Sequence, residues 1–372
     1  MKRLLYVISS LSDTGPVKVL HNIIRHLDRN KFEVYVLALS ITDENDLASV
    51  FKASGANIRV LDISRCRMFF EHRKVLSKII REIQPDIVHT QCFRSTIFMQ
   101  HFASDLNLYT TIHCIFYQDF LFSYGQIIGR MMIWMYVNAL KKYDKCIACS
   151  QSVERLLSEK YALNFVHVRN GIQVPAAEHV KGSSELARKR AALDVPEDKV
   201  IFVCTGVICA GKNQAQILRC LRKIDDICVI FLGNGPDLKK LSKNAPKNAI
   251  FLGYVNNVYE YLSIADGFVS ASFSEGMPNA VLEALMMGLP CILSNIEPHR
   301  EIKNAYSEAC HLYENNDDEA LIACFREVTG RGFTYDVYES ISIKSRELFS
   351  SSAMSRKYQN IYDELCSGSS LR

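Results

Sequence analysis

Two carboxylates eight positions apart, Glu275 and Glu283, frame the stretch with the most chemistry in this chain, S-F-S-E-G-M-P-N-A-V-L-E-A-L-M-M-G-L-P-C-I-L-S over residues 272–294. The apolar run Gly267 to Ser270 before it reads as a buried strand, and Pro290 to Leu293 reads as the next. Pro278 stands where a helix would start, because its missing N–H costs nothing there. Gly288 stands where that helix would stop. Loop and helix N-terminus together present unpaired backbone N–H groups at the carboxyl end of a parallel sheet, where the peptide dipoles favour an anion. A carboxylate at the same spot repels phosphate and accepts hydrogen bonds from hydroxyls. Donors for phosphate beside acceptors for hydroxyls describe a pocket for a nucleotide sugar. The plainer alternative makes Glu275 and Glu283 solvated charges on a surface helix.

The elements that would position these groups recur along the chain. Leu4 to Ser9 is a continuous apolar run, a turn follows over residues 10–16, and Val17, Leu20, Ile23, Ile24 and Leu27 recur at helical spacing. With a strand at Val34–Leu39 this makes a βαβ unit. No G-x-G-x-x-G follows the first strand, which argues against a dinucleotide site. Further strands are expected at Ile58–Ile63, Ile87–His89, Tyr109–His113 and Cys146–Cys149, and helices at 72–83, 93–104, 120–141 and after Ser150. His113, in T-T-I-H-C, and His89, in D-I-V-H-T-Q, both end strands, where such folds bind ligands. Each could equally be a core or loop histidine. Asn170-Gly171 is a turn signal, and the polar residues 173–198 read as a linker and a short helix. A second alternating series then runs through strands at Val200–Cys204, Val229–Leu232 and Ile250–Leu252, a polar segment 295–309, helices at 317–329 and 336–348, and a last helix at about 353–366.

Composition bounds the class. The 372 residues suffice for two domains, and 48% apolar with 23% charged residues is ordinary for a globular protein. The net charge of +4 is too mild to argue for nucleic acid. It is uneven: residues 1–150 carry 19 Lys and Arg against 13 Asp and Glu, and the rest carry 25 against 27. A basic first half suits a membrane surface or a phosphorylated acceptor, or is a solvated face with no partner. The 13 cysteines sit mostly in apolar runs, as reduced thiols of a cytoplasmic protein do. Cys146 and Cys149 fall on one strand and point to opposite faces, against a redox or metal pair. No D-x-D ends a strand and no His/Cys cluster stands out, so the sequence offers no metal-site pattern of its own. No signal peptide is visible. The longest apolar stretch, Ile127 to Leu140, holds Arg130, Asn138 and Trp134 and is shorter than the ~20 residues that span a bilayer. A core helix is the expectation for it, with an interfacial helix on a membrane surface as the alternative.

The run E-G-M-P-N-A-V-L-E-A-L-M-M-G-L-P resembles the E-x7-E region of the retaining GT-B glycosyltransferases of family four. Asn170-Gly171-Ile172 resembles that family's joint between domains, Gly233-Asn234-Gly235-Pro236 its G-x-G-P turn, and Gly206 with Lys212 its G-R-L-x-x-x-K loop. Val207 stands where the family's arginine is expected, and the first loop has only Gly15 where the family carries a Gly-Gly pair.

The resemblance implies an α/β chain with two Rossmann-like doubly wound domains facing a cleft: 1–172 on the acceptor side, 173–350 on the nucleotide-sugar side, and a terminal helix in 351–372 packing back on the first. It implies that Glu283 accepts from ribose hydroxyls and Glu275 from hydroxyls of the transferred sugar. Backbone at Gly276, Met277, Pro278 and Asn279 meets sugar or phosphate, with Pro278 offering no N–H. Gly206 belongs to the donor loop, Lys212 neutralises the departing diphosphate, and His113 and Gly15 approach from the first domain. The activity implied is retaining, metal-independent transfer of a hexose or N-acetylhexosamine from a nucleotide sugar, UDP-linked by preference. The acceptor is a glycan or polyprenyl-linked sugar of a surface polysaccharide, met at the inner face of the membrane. The nucleotide sugar is a substrate and no cofactor is expected. The same pocket would serve an epimerase or a catalytically silent binding subunit.

Overall fold

Among the described residues thirteen strands form, all paired in parallel, in two separate sheets. The computed structural model describes residues 1–41, 46–61, 65–173, 183–196, 199–330, 332 and 334–364. The chain divides into two compact units, Met1–Gln173 with Ser351–Arg372, and Val174–Ser350.

In the first unit the strands are β1 (Lys2–Ile8), β2 (Phe32–Ala38), β3 (Asn57–Val60), β4 (Ile87–Gln91), β5 (Asn107–Ile112), β6 (Lys145–Ala148) and β7 (Phe165–His167), in the spatial order β3-β2-β1-β4-β5-β6-β7. The order reverses between β1 and β4, which makes a crevice at their carboxyl ends. The helix Ser351–Asp363 belongs to this unit. The Tyr362 hydroxyl shares hydrogen bonds with Tyr6 (3.0 Å) and with His89 Nδ1 (2.7 Å), Tyr358 meets Thr111 at 3.1 Å, and the Ser355 hydroxyl donates to the Ile23 carbonyl. Aromatic bulk and hydroxyls together fix it, since buried hydroxyls need partners.

In the second unit the strands are β8 (Val200–Thr205), β9 (Ile227–Leu232), β10 (Ala249–Gly253), β11 (Gly267–Ser270), β12 (Cys291–Ser294) and β13 (Cys310–Tyr313), ordered β10-β9-β8-β11-β12-β13. Here the reversal falls between β8 and β11. Every residue of β9 is buried, as expected for a strand covered on both faces. The helix Ser183–Ala192 is tied in by Arg190, which donates to the Ile264 carbonyl and pairs with Asp266 at 2.8 Å.

Several expectations change. The stretch Ile127–Leu140 is helical but is no core helix: within the helix Phe116–Leu140, Ile127 is 86% and Trp134 68% exposed. Only one side, with Gly129, Tyr136, Ala139 and Leu140, is buried, and the helix Cys92–Met99 packs against it. The polar segment 295–309 holds the helix Glu297–Ala305, and β7 and β13 escape notice because three or four residues carry little periodicity. Positions 62–64, most of the expected linker (174–182, 197 and 198) and residues 365 and 366 lie outside the described residues. Cys146 and Cys149 are both buried.

Candidate active site

The two loops that matter follow neighbouring strands at the reversal of the second sheet. After β8 the chain turns through Gly206, Val207 and Ile208 into a 3₁₀ turn, Ala210–Lys212, and the helix Gln214–Leu221. After β11 it runs through Ser272–Pro278 into the helix Asn279–Met286. The Phe273 N–H donates to the Gly211 carbonyl at 2.9 Å and stitches the loops together. The Lys212 ammonium then donates to Glu275 Oε1, which also accepts from the Ser272 hydroxyl at 2.7 Å. Burial works to raise the Glu275 carboxyl, but Lys212, then the neighbouring His299 and Ser272, hold it below its usual value. Glu275 is therefore an anion at neutral pH, half-buried, with a cation beside it.

Beneath this pair lies a residue that the sequence reading missed. His299 is fully buried on the helix Glu297–Ala305. Its Nδ1 donates to the Ser294 carbonyl at 2.8 Å, while the Ser294 hydroxyl donates to the Ser272 carbonyl at 2.7 Å. Asn315 reaches the same carbonyl from 3.3 Å. Burial brings the imidazole down to about 4, so it is neutral, and its buried Nε2 has no hydrogen-bond partner among the described residues. This network holds the root of the Glu275 loop. One histidine in a polar run carried no signal; the Pro298 that starts its helix was the only local cue.

Pro278 is the N-cap of the helix Asn279–Met286, with extended backbone (φ −75°, ψ 99°), and its carbonyl accepts from the Val281 and Leu282 N–H groups. Gly276, Met277 and Pro278 are buried and Asn279 half-buried, so these residues line the loop with backbone rather than side chain. Glu283 is half-buried on the same helix. Its charge acts on Tyr259, whose hydroxyl is pushed up first by burial and then by that carboxylate. Gly288 closes the helix at φ +86°, as expected.

The Gly206 loop is braced from the strand ends beside it. Gly206 has φ +131°, and a Cβ on Gly233 would lie 1.9 Å from the Gly206 carbonyl oxygen. The G-x-G-P turn thus carries glycine because two backbones touch there. Ile208 N–H donates to the Asn234 carbonyl at 2.9 Å. Val207 is 53% exposed and brings no charge.

In the first unit, Gly15 opens the helix Gly15–Ile24 just past β1, exposed and with Pro16 in the first turn. His113 follows β5 and donates through Nε2 to Gln91 Oε1 at 2.6 Å; burial lowers it to about 4. Gln91 ends β4, is fully buried, and its Nε2 has no partner among the described residues. It, too, was missed, although D-I-V-H-T-Q ends on it. His89 is spoken for within the fold: Tyr362 and Thr111 meet its two ring nitrogens, and burial takes it to about 3.

Comparisons with known proteins bear on the family and the fold. The family model Glycosyltransferase Family 4 matches residues 14–174, and Glycosyl transferases group 1 matches residues 187–329. The O-antigen biosynthesis glycosyltransferase WclY of Escherichia coli is 24% identical over 381 residues, covering 98% of each chain. A UDP-Gal:alpha-D-GlcNAc-diphosphoundecaprenol alpha-1,3-galactosyltransferase of the same species is 26% identical over 270 residues, covering 68% of this chain and 69% of that one. Among solved structures, Anabaena HepE in complex with UDP-glucose superposes with a TM-score of 0.81 at 13% identity, covering 98% of this chain and all of that one. With one model on each unit and the same two-sheet fold, the chain belongs to the GT-B glycosyltransferases of the family-four kind.

Proposed function

We propose that this glycosyltransferase moves a hexose or N-acetylhexosamine from a UDP-linked donor to a glycan or polyprenyl-linked acceptor in surface polysaccharide biosynthesis, with retention and without a metal, in the cytoplasm at the inner face of the membrane. The observation that carries the reading is the Lys212–Glu275 pair at the reversal of the second sheet, with Gly206 on one side and the helix bearing Glu283 on the other. The names of the E. coli relatives support the polysaccharide setting and the polyprenyl acceptor, and the UDP-glucose bound by HepE supports the donor.

In this reading the diphosphate draws the Lys212 ammonium, and Glu275, relieved of part of its pairing, accepts from hydroxyls of the sugar. Glu283 accepts from the ribose, and backbone at Gly276, Met277 and Asn279 meets sugar or phosphate. The bond from the anomeric carbon to the diphosphate oxygen breaks, and the acceptor oxygen bonds to that carbon on the same face. The acceptor's proton passes to the leaving phosphate, so the nucleoside diphosphate departs and no protein nucleophile is used. Lys212 offsets the charge that grows on the leaving group, an effect worth about 3 kcal/mol in comparable sites. His113 and the Gly15 loop are assigned as the substrate-contacting groups of the first unit.

Val207 favours a second reading. An exposed valine in the donor loop leaves one cation fewer for the diphosphate, as in a subunit that binds nucleotide sugar without transfer. One experiment separates the two: thermal shifts with a panel of nucleotide sugars, followed by turnover with lipid-linked acceptors. A ligand at 100 times its Kd adds about 2.7 kcal/mol of stability. Binding without turnover on any acceptor sinks the transferase reading.

A further inference from the structure

The helix Phe116–Leu140 is broken at Gly125 (φ +74°, ψ −177°), and the seven residues 122–128 around the break are all exposed. Phe122, Tyr124, Ile127, Ile128, Met131 and Trp134 stand out of the surface, each more than half exposed. After the break, positions 127, 131 and 134 recur one turn apart, so three of these side chains share one face. Lys141 and Lys142, both exposed, fall on that face at its far end, and exposed Arg130 flanks it. From Phe120 to Tyr143 the sequence contains no Asp or Glu. Near the lysine end lies more positive charge: Arg73 donates to His101 at 2.8 Å, and Arg73 and Lys142 both lower the His101 imidazole after burial does. A patch of this size is unusual on a soluble surface and marks an interaction site.

We propose that this face docks on an anionic lipid bilayer, with Ile127, Met131 and Trp134 entering the headgroup–acyl boundary and Arg130, Lys141 and Lys142 meeting the headgroup phosphates. The chemistry selects lipid over a protein partner. Aromatic and aliphatic side chains flanked by cations, with no acid among them, are what an interfacial helix carries. Among the described residues no helix is long and apolar enough to cross a membrane, so the helix lies in the surface. This deepens the proposal of a polyprenyl-linked acceptor and rests on it for its purpose: a lipid-borne acceptor is met where the lipid is.

The chain carries its own reporter, since Trp134 is its only tryptophan. The whole protein is mixed with vesicles of phosphatidylcholine alone, or of equal parts phosphatidylcholine and phosphatidylglycerol, and both flotation and tryptophan emission are read. The expected result is co-flotation and a blue shift with the anionic vesicles. Ile127→Glu with Met131→Glu abolishes both, and Lys141→Gln with Lys142→Gln weakens binding roughly 25-fold, about fivefold per lysine. The inference is overturned if neither vesicle changes the emission, or if binding ignores both pairs of substitutions. It is also overturned if the emission is already blue in lipid-free protein and shifts with protein concentration as the mass doubles, which makes the patch a contact between copies. Thermal shift with nucleotide sugars runs alongside: unchanged donor binding in Ile127→Glu with Met131→Glu, despite lost flotation, keeps the two proposals separable.

Discussion

Lys212 and Glu275 come from loops after adjacent strands, β8 and β11, and meet in a direct ion pair with Ser272 donating to the same carboxylate oxygen. The lysine side chain is 32% and the glutamate 13% exposed, so the pair is screened on one side only. A diphosphate is a stronger partner for an ammonium than one carboxylate, and a sugar hydroxyl is a suitable replacement donor for Glu275. In the proposed reading the pair holds both groups in readiness, and substrate exchanges for it without leaving either charge bare.

This separates stability from function by mutation. Lys212→Met strands a half-buried carboxylate and should cost about 2 kcal/mol of stability, below the 3–5 kcal/mol of a fully buried pair because the lysine is partly solvated. Lys212→Met with Glu275→Gln should recover most of the lost melting temperature while remaining about 100-fold or more down in kcat. Melting curves and steady-state rates on the four members of the cycle check it. A double variant that regains activity would show that the pair is structural.

The same variant should invert a pH dependence. In the native chain the Glu275 carboxyl lies below its usual value, so its contribution is present above an unfolded value of about 4.3 and is lost as pH falls through the folded one. Without Lys212 burial dominates, the folded value rises, and the carboxyl stabilises the fold only in acid. Lys212→Met should thus lose least stability near pH 4 and progressively more toward pH 7, which melting temperature against pH would reveal as a change in sign of the variant's slope.

Gly233→Ala tests the brace under the donor loop. The new Cβ would meet the Gly206 carbonyl at 1.9 Å, and the backbone at φ +144° is one that side chains rarely adopt. A loss of about 1–3 kcal/mol from the backbone alone is expected, together with weaker donor binding as Gly206 to Ile208 shifts. Gly206→Ala shares the unfavourable φ but meets nothing within 4 Å, so it should cost less. Isothermal titration with UDP-sugar on both variants gives the order.

Much of this was readable in advance, and the reasons are physical. Strands buried on both faces are continuous apolar runs, so β1, β8 and β9 stand out, and Pro278 and Gly288 bound their helix as their backbone chemistry requires. Glu275 and Lys212 stood out through the motifs that carry the family resemblance, and the structure brings the two together. His299 and Gln91 were not, since their importance lies in burial and in which nitrogen lacks a partner, and neither leaves a period in sequence. The helix at Ile127–Leu140 misled for the opposite reason. Apolarity predicts burial only when something covers it, and here one side packs on the helix Cys92–Met99 while Ile127, Met131 and Trp134 on the other stay exposed.

Three histidines held neutral, His89 and His299 buried and His113 half-buried, should make the protein sensitive to mild acid. Burial takes His89 to about 3, and His113 and His299 to about 4. Unfolded histidine binds its proton near 6.5, so between that value and about 4 the unfolded chain holds protons that the native one refuses, and stability falls with pH throughout the window. Each group is worth up to about 3 kcal/mol at the bottom of it. His89 offers the cleanest test, because it lies outside the proposed site and its two nitrogens are occupied by Tyr362 and Thr111. His89→Gln should lower the melting temperature at pH 7.5 through poorer hydrogen bonding, yet flatten its decline between pH 6.5 and 4.5. Tyr362→Phe leaves His89 Nδ1 short of its partner, costs about 1–3 kcal/mol, and keeps the steep acid slope. If both variants decline in parallel with the native chain, the histidine account of acid sensitivity is wrong and the carboxylates carry it.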